Sequence, residues 1–115
     1  MKRLGILGST GSIGTSTLDV VESFPERFSV ATLAAGSNID RLERQVNRFE
    51  PECVAVGNVD AGRELARRLG SRCRVVWGAD GLVQAATHDG VDLVVSGLVG
   101  AVGLPPTYAA VRQGL

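Results

Sequence analysis

Gly8-Ser9-Thr10-Gly11-Ser12-Ile13-Gly14 sets glycines three residues apart, directly after the apolar run at residues 4–7. Residues of this type and spacing hold phosphate. Glycines let a backbone turn sharply and come close to a ligand, and the helix that follows presents unpaired N–H groups and partial positive charge. In this reading Gly8 makes the tight turn, Gly11 lets the backbone approach a pyrophosphate, and Gly14 lets the helix lie close to the sheet. Ser9, Thr10 and Ser12 add hydroxyl donors. The pattern G-x-x-G-x-x-G departs from the commoner G-x-G-x-x-G. No Lys-Ser/Thr pair closes it, which excludes a P-loop.

A second turn, Ala35-Gly36-Ser37-Asn38, bears on which nucleotide is held. An Asp or Glu at the end of the second strand accepts from the ribose 2′-hydroxyl of NAD. Here no carboxylate occurs until Asp40, and that absence suits the 2′-phosphate of NADP. Ser37 and Asn38 offer hydrogen-bonding groups and helix-start amides, and Arg41, one turn later, can add charge. Ser37 or Asn38 can equally cap the helix, and both roles fit one geometry.

Groups that make or break bonds are scarce. His88 is the single histidine and lies in the turn-like Thr87-His88-Asp89-Gly90, where exposure is the expectation. No cluster of carboxylates or histidines has metal-ligand spacing, and no serine has an evident partner base. Arg63, Arg67 and Arg68 read as a solvated helix face.

The elements that position these turns follow from periodicity. Ile13, Thr17, Val20, Val21 and Phe24 fall on one face at helical spacing, which predicts a first helix buried there and stopped by Pro25. Residues 28–34 are β-rich and of strand length, completing a βαβ unit whose strands should be parallel. Ile39, Leu42, Val46 and Phe49 mark a second helix ended by Pro51. Residues 53–56, 74–77 and 92–96 read as strands. Residues 60–69 read as a helix with Leu65, Ala66 and Leu69 inward, and residues 81–87 as a weaker one. Leu104, Tyr108, Val111 and Leu115 mark a final helix with Pro105 and Pro106 in its first turn. Ser96-Gly97-Leu98-Val99-Gly100 should lie at the topological switch point, lining the cofactor or simply turning tightly. The class is α/β, a Rossmann-like doubly wound parallel sheet, expected to be truncated at its C-terminal end.

Bulk composition agrees. With 115 residues the chain suffices for one domain and one modest core. Its 15 glycines are about twice the usual share of roughly 7% and sit mostly at the ends of apolar runs, which indicates turns rather than disorder. Twelve basic residues balance twelve acidic ones, which gives no case for nucleic acid or an anionic membrane as partner. Cys53 and Cys73 read as buried, reduced thiols at strand starts. The glycine loop follows Lys2 and Arg3 too closely for a signal peptide, and no apolar run reaches spanning length. A soluble, cytoplasmic protein is the expectation.

The stretch Leu-Gly-Ser-Thr-Gly-Ser-Ile-Gly with Ser16-Thr17-Leu18-Asp19-Val20-Val21 resembles the start of the 1-deoxy-D-xylulose 5-phosphate reductoisomerases. Ala34-Ala35-Gly36-Ser37-Asn38, and Val99-Gly100-Ala101-Val102-Gly103-Leu104 with Pro106-Thr107, resemble later segments of that family's cofactor domain, in the same order. The resemblance implies an enzyme of the non-mevalonate isoprenoid pathway that depends on NADPH and on a divalent metal, Mg or Mn. Its reaction isomerises and reduces 1-deoxy-D-xylulose 5-phosphate to 2-C-methyl-D-erythritol 4-phosphate. It further implies that Thr10, Gly11, Ser12 and Ile13, together with Gly36, Ser37 and Asn38, bind NADPH. Family members often carry a basic residue where this chain has Ser37, which directs attention to Arg41. The implied metal ligands, substrate-phosphate residues and lid lie beyond residue 115, so residues 1–115 form an NADP-binding domain expected to lack turnover, within an enzyme that is a homodimer when full length. Other NADP-dependent dehydrogenases or epimerases, and a non-enzymatic dinucleotide-sensing module, share the fold and stay open on the residues alone.

Overall fold

The computed structural model describes residues 1–97. Five parallel strands form one sheet in the order β4-β3-β2-β1-β5. The strands are β1 (Lys2–Leu7), β2 (Phe28–Ala34), β3 (Cys53–Val56), β4 (Arg74–Trp77) and β5 (Leu93–Ser96). Helices α1 (Ser12–Ser23), α2 (Ile39–Phe49), α3 (Val59–Leu69) and α4 (Gly78–Ala86) alternate with them. The doubly wound parallel sheet expected from the sequence is therefore present. The expected final helix falls outside the described residues.

Side-chain alternation along the strands divides the core into two layers. Leu4, Ile6, Val30, Leu33, Val54 and Val56 face α1, α2 and α3, meeting Leu18 and Val21, Leu42 and Val46, and Leu65 and Leu69. Leu7, Ala34, Cys53, Ala55 and Val76 face the other way, onto Ala85 and Ala86 of α4. Each large aliphatic side chain removed from water in these layers contributes about 1.5–3 kcal/mol before entropy is set against it. Val30 and Leu33 share a face although three positions apart. The register between β1 and β2 shifts there, pairing Leu4 with Val30 and Gly5 with Thr32, so that Ala31 is an extra residue. The bulge turns Thr32 toward α4, where its hydroxyl donates to the Ala85 carbonyl at 2.8 Å. Both cysteines are buried and unbridged. Loss of solvent raises their thiol pKa, that of Cys73 to about 11.

Helix α1 departs from expectation. Its buried face is Gly14, Leu18 and Val21. Of the expected stripe, only Val21 is buried, while Ile13, Val20 and Phe24 are 53%, 48% and 44% exposed. The glycine sets the rotation. A Cβ on Gly14 would stand 2.5 Å from Ser9 Cα and closer still to the Gly8 carbonyl oxygen, so this position must face the loop backbone. Residues four and seven positions on then follow it inward. Two smaller departures also have local causes. Helix α2 ends through the left-handed Glu50, at φ 51°, one residue ahead of Pro51. Helix α4 starts at Gly78, earlier than expected, because a positive φ of 74° there turns the chain straight off β4.

Candidate functional site

Because every strand is parallel, the turns after β1, β2, β3 and β5 all lie at one edge of the sheet. At the first of them Gly8 takes φ 78°, a conformation that favours glycine. The N–H groups of Gly8 and Ser9 both donate to the Ala34 carbonyl, at 2.7 and 2.8 Å, tying the loop to the end of β2. Gly11 N–H donates back to the Gly8 carbonyl at 3.1 Å. Helix α1 then begins with no side-chain cap at Gly11 and no acidic residue in its first turn. By contrast, α2 and α3 are capped by Asn38 and Asn58 and carry Asp40 and Asp60 in their first turns. Among the described residues no cap or carboxylate neutralises the start of α1, whose partial positive charge and first-turn donors form the arrangement that receives an anionic phosphate.

The second turn lies beside the first. Ala35 N–H donates to the Ala55 carbonyl, and Gly57 N–H to the Gly36 carbonyl at 2.7 Å, fixing the turn against the end of β3. Asn38 Oδ1 accepts from the Arg41 N–H at 3.3 Å. Two side chains one helical turn apart on α2 then join the turns. Arg41 Nη1 donates to the Thr10 carbonyl at 3.1 Å, and Gln45 Nε2 to the Ser9 carbonyl at 2.8 Å. With the Ser9 carbonyl held toward α2, the N–H of the same peptide, on Thr10, is directed away from α2.

Gly11, Ser12, Ile13, Gly36, Ser37 and Asn38 are exposed and Thr10 is half-buried, all at this edge. Among the described residues a side chain at Gly36 would meet nothing within 4 Å, and one at Gly11 only the Gly8 carbonyl oxygen at 3.4 Å. Packing against the described residues therefore does not demand glycine at either place. Both leave open backbone where a flat, charged ligand can approach. These features fit a dinucleotide. Gly14 serves closeness to the loop's own backbone rather than to the sheet in general.

Ser9 corrects the sequence reading. It is fully buried, and among the described residues its Oγ has no hydrogen-bond partner, so its hydroxyl is not presented to a ligand at this edge. Gln45 is not singled out by the sequence; its spacing from Arg41 is visible there, but its turn toward the loop is not. Arg68 is also more than a solvated residue. It bonds Asp40 Oδ1 at 2.7 Å, Glu64 Oε2 at 2.8 Å and Glu43 Oε1 at 3.2 Å, linking α2 to α3. These carboxylates, Asp40 first, push its pKa up. Gly97 N–H donates to the Leu7 carbonyl at 2.8 Å, which places the turn after β5 beside the start of α1 at the switch point; Leu98, Val99 and Gly100 lie outside the described residues.

His88 is half-buried rather than exposed and belongs to the opposite edge. There its Nε2 lies 3.4 Å from Glu52 Oε1, which Arg3 Nη1 also meets at 2.9 Å. Arg3, and then His88, hold the Glu52 carboxyl below its ordinary range. Among the described residues no group of three or more His, Cys, Asp or Glu side chains could hold a metal ion, so no step through a metal is assigned to them. No helix among them is long and apolar enough to cross a membrane.

A parallel sheet whose first strand passes through a glycine turn into an uncapped helix, with the second strand's turn tied beside it, defines the Rossmann-like class of α/β domains. Within that class the chain belongs to the 1-deoxy-D-xylulose 5-phosphate reductoisomerase family, whose model matches residues 4–115. It is 47% identical over 115 residues to the 1-deoxy-D-xylulose 5-phosphate reductoisomerase of Geotalea uraniireducens, covering 99% of this chain and 30% of that protein. It is 51% identical over 116 residues to that of Paraburkholderia xenovorans, covering 98% and 29%. The solved 1-deoxy-D-xylulose 5-phosphate reductoisomerase from Zymomonas mobilis in complex with NADPH matches at TM-score 0.91 and 35% identity, over 98% of this chain and 30% of that one. A crystal structure of DOX-P reductoisomerase in complex with NADPH, fosmidomycin and magnesium matches at TM-score 0.90 and 34% identity, over 96% and 28%. The chain spans about 30% of the length of the curated relatives it matches.

Proposed function

We propose that residues 1–115 form the NADPH-binding portion of an enzyme that converts 1-deoxy-D-xylulose 5-phosphate to 2-C-methyl-D-erythritol 4-phosphate. The observation that carries this reading is the start of α1 beneath the glycine loop, without a cap or acidic residue among the described residues, with the Gly36–Asn38 turn tied beside it through Arg41. Thr10, Gly11, Ser12 and Ile13 receive the pyrophosphate, and Gly36, Ser37 and Asn38 receive the adenosine end. When bound, NADPH supplies the hydride for the reduction. The residues described here bind and orient it and supply no acid or base for the chemistry. In this reading the whole enzyme is cytoplasmic, uses a divalent metal, takes a sugar phosphate as substrate and assembles as a homodimer.

The test is titration of the intact protein carrying this chain with NADPH and NADH, alongside Gly11→Asp. NADPH is expected to bind more tightly than NADH, and Gly11→Asp to abolish both, because a carboxylate would meet the pyrophosphate at the approach Gly11 leaves open. Unchanged binding in the variant would overturn the phosphate-loop assignment.

A further inference from the structure

The turn after β2 carries no charge of its own: Gly36, Ser37 and Asn38 offer only a hydroxyl, an amide and backbone N–H groups. A 2′-phosphate there brings about two negative charges, which neutral donors alone do not balance. The nearest ionisable groups in sequence are Asp40 and Arg41, and the structure treats them in opposite ways.

Arg41 is turned into the site. Its guanidinium rests on the Thr10 carbonyl, between the two turns, and among the described residues no carboxylate lies within ion-pair distance of it. One neutral acceptor uses one of its five N–H groups, so most of its fork and all of its charge remain available. Asp40 is turned away. Its Oδ1 is held by Arg68 of α3 at 2.7 Å, in a cluster that also engages Glu43 and Glu64. A carboxylate that would repel a 2′-phosphate, or accept from a 2′-hydroxyl, is thereby pinned to the neighbouring helix.

We propose that Arg41 and Arg68 together select a 2′-phosphorylated dinucleotide. Arg41 binds the phosphate, and Arg68 acts as a positioning residue that keeps Asp40 out of the ribose site. This inference rests on the NADPH reading above and adds the residues that set its preference.

The experiment measures dissociation constants for NADPH and NADH, by nucleotide fluorescence, on the intact protein and three variants. Arg41→Gln, which retains a donor for the Thr10 carbonyl, is expected to weaken NADPH about tenfold, about 1.4 kcal/mol, and to leave NADH within about twofold. Arg68→Gln is expected to lower the NADPH-to-NADH preference about threefold to fivefold by releasing Asp40. Adding Asp40→Asn to Arg68→Gln is expected to restore the preference, which a merely structural loss at α3 would not do. Equal weakening of both nucleotides by Arg41→Gln would overturn the phosphate role and leave only a loop clamp. An unmoved preference in Arg68→Gln, or no rescue by Asp40→Asn, would overturn the positioning role. Failure of the unsubstituted protein to bind either nucleotide would instead overturn the NADPH reading itself.

Discussion

Gly14 lies against Ser9 so closely that a Cβ on the glycine would stand 2.5 Å from the serine Cα. Backbone, unlike the end of a flexible side chain, cannot swing aside. Gly14→Ala is therefore expected to destabilise the protein by about 3 kcal/mol, at the upper end of overpacking costs. Helix propensity alone argues for the reverse, a gain of about 1 kcal/mol from Gly to Ala. Chemical denaturation gives the sign directly, and a stabilised variant would refute the close approach.

The rotation of α1 makes neighbouring apolar residues unequal. Leu18 is 4% exposed and packed against the sheet, whereas Val20 is 48% exposed. Leu18→Ala should cost about 2–5 kcal/mol through lost burial and the cavity left behind. Val20→Ala should stay within about 0.5 kcal/mol. Equal losses in thermal melts would mean that the helix presents the other face.

Thr32 ties the sheet to α4 through a buried bond to the Ala85 carbonyl near the C-terminal end of that helix. Valine has nearly the same shape and no donor. Thr32→Val is expected to cost about 1–3 kcal/mol by leaving that carbonyl unpaired. Amide exchange should accelerate in α4 more than in α1, since only α4 loses a partner; uniform acceleration would contradict this.

Glu64 gives an acid-limb prediction. Arg67 and Arg68 lower its pKa from 4.5 to about 2. A carboxyl depressed on folding contributes stability that is present above 4.5 and lost as pH falls through about 2. The difference in melting temperature between the protein and Glu64→Gln should be greatest above pH 4.5 and close toward pH 2. Added salt should shrink it throughout, because the pairs are exposed to solvent. A difference that widens toward acid would invert the assignment.

Much of this architecture is legible in the residues because its signals are local. The alternation of apolar runs with turn residues marks every described strand, and the Gly8–Gly14 spacing marks the loop whether or not anything is bound. What the sequence hides is orientation. Gly14 reads as a turn residue, yet it is the residue that fixes which face of α1 goes inward, displacing Ile13 and Val20 to the surface. Ser9 has the same side chain as Ser12, and only the path of the loop buries one and exposes the other. Arg63, Arg67 and Arg68 look alike on α3, but Arg68 alone among the three reaches α2, because helix–helix approach brings Asp40 and Glu43 to it. Partners chosen across elements are set by packing, and no window of sequence contains both members.

The strand order carries a consequence for how the chain is assembled. β1 is flanked by β2 and β5, so one neighbour is available once residue 34 is made and the other only with residues 93–96. Throughout synthesis of the intervening stretch, one hydrogen-bonding side of an apolar strand has no native mate. A strand in that state is a template for pairing with other chains. Lesions in β5 should therefore show themselves first as insoluble protein, well before they show as lost affinity for nucleotide.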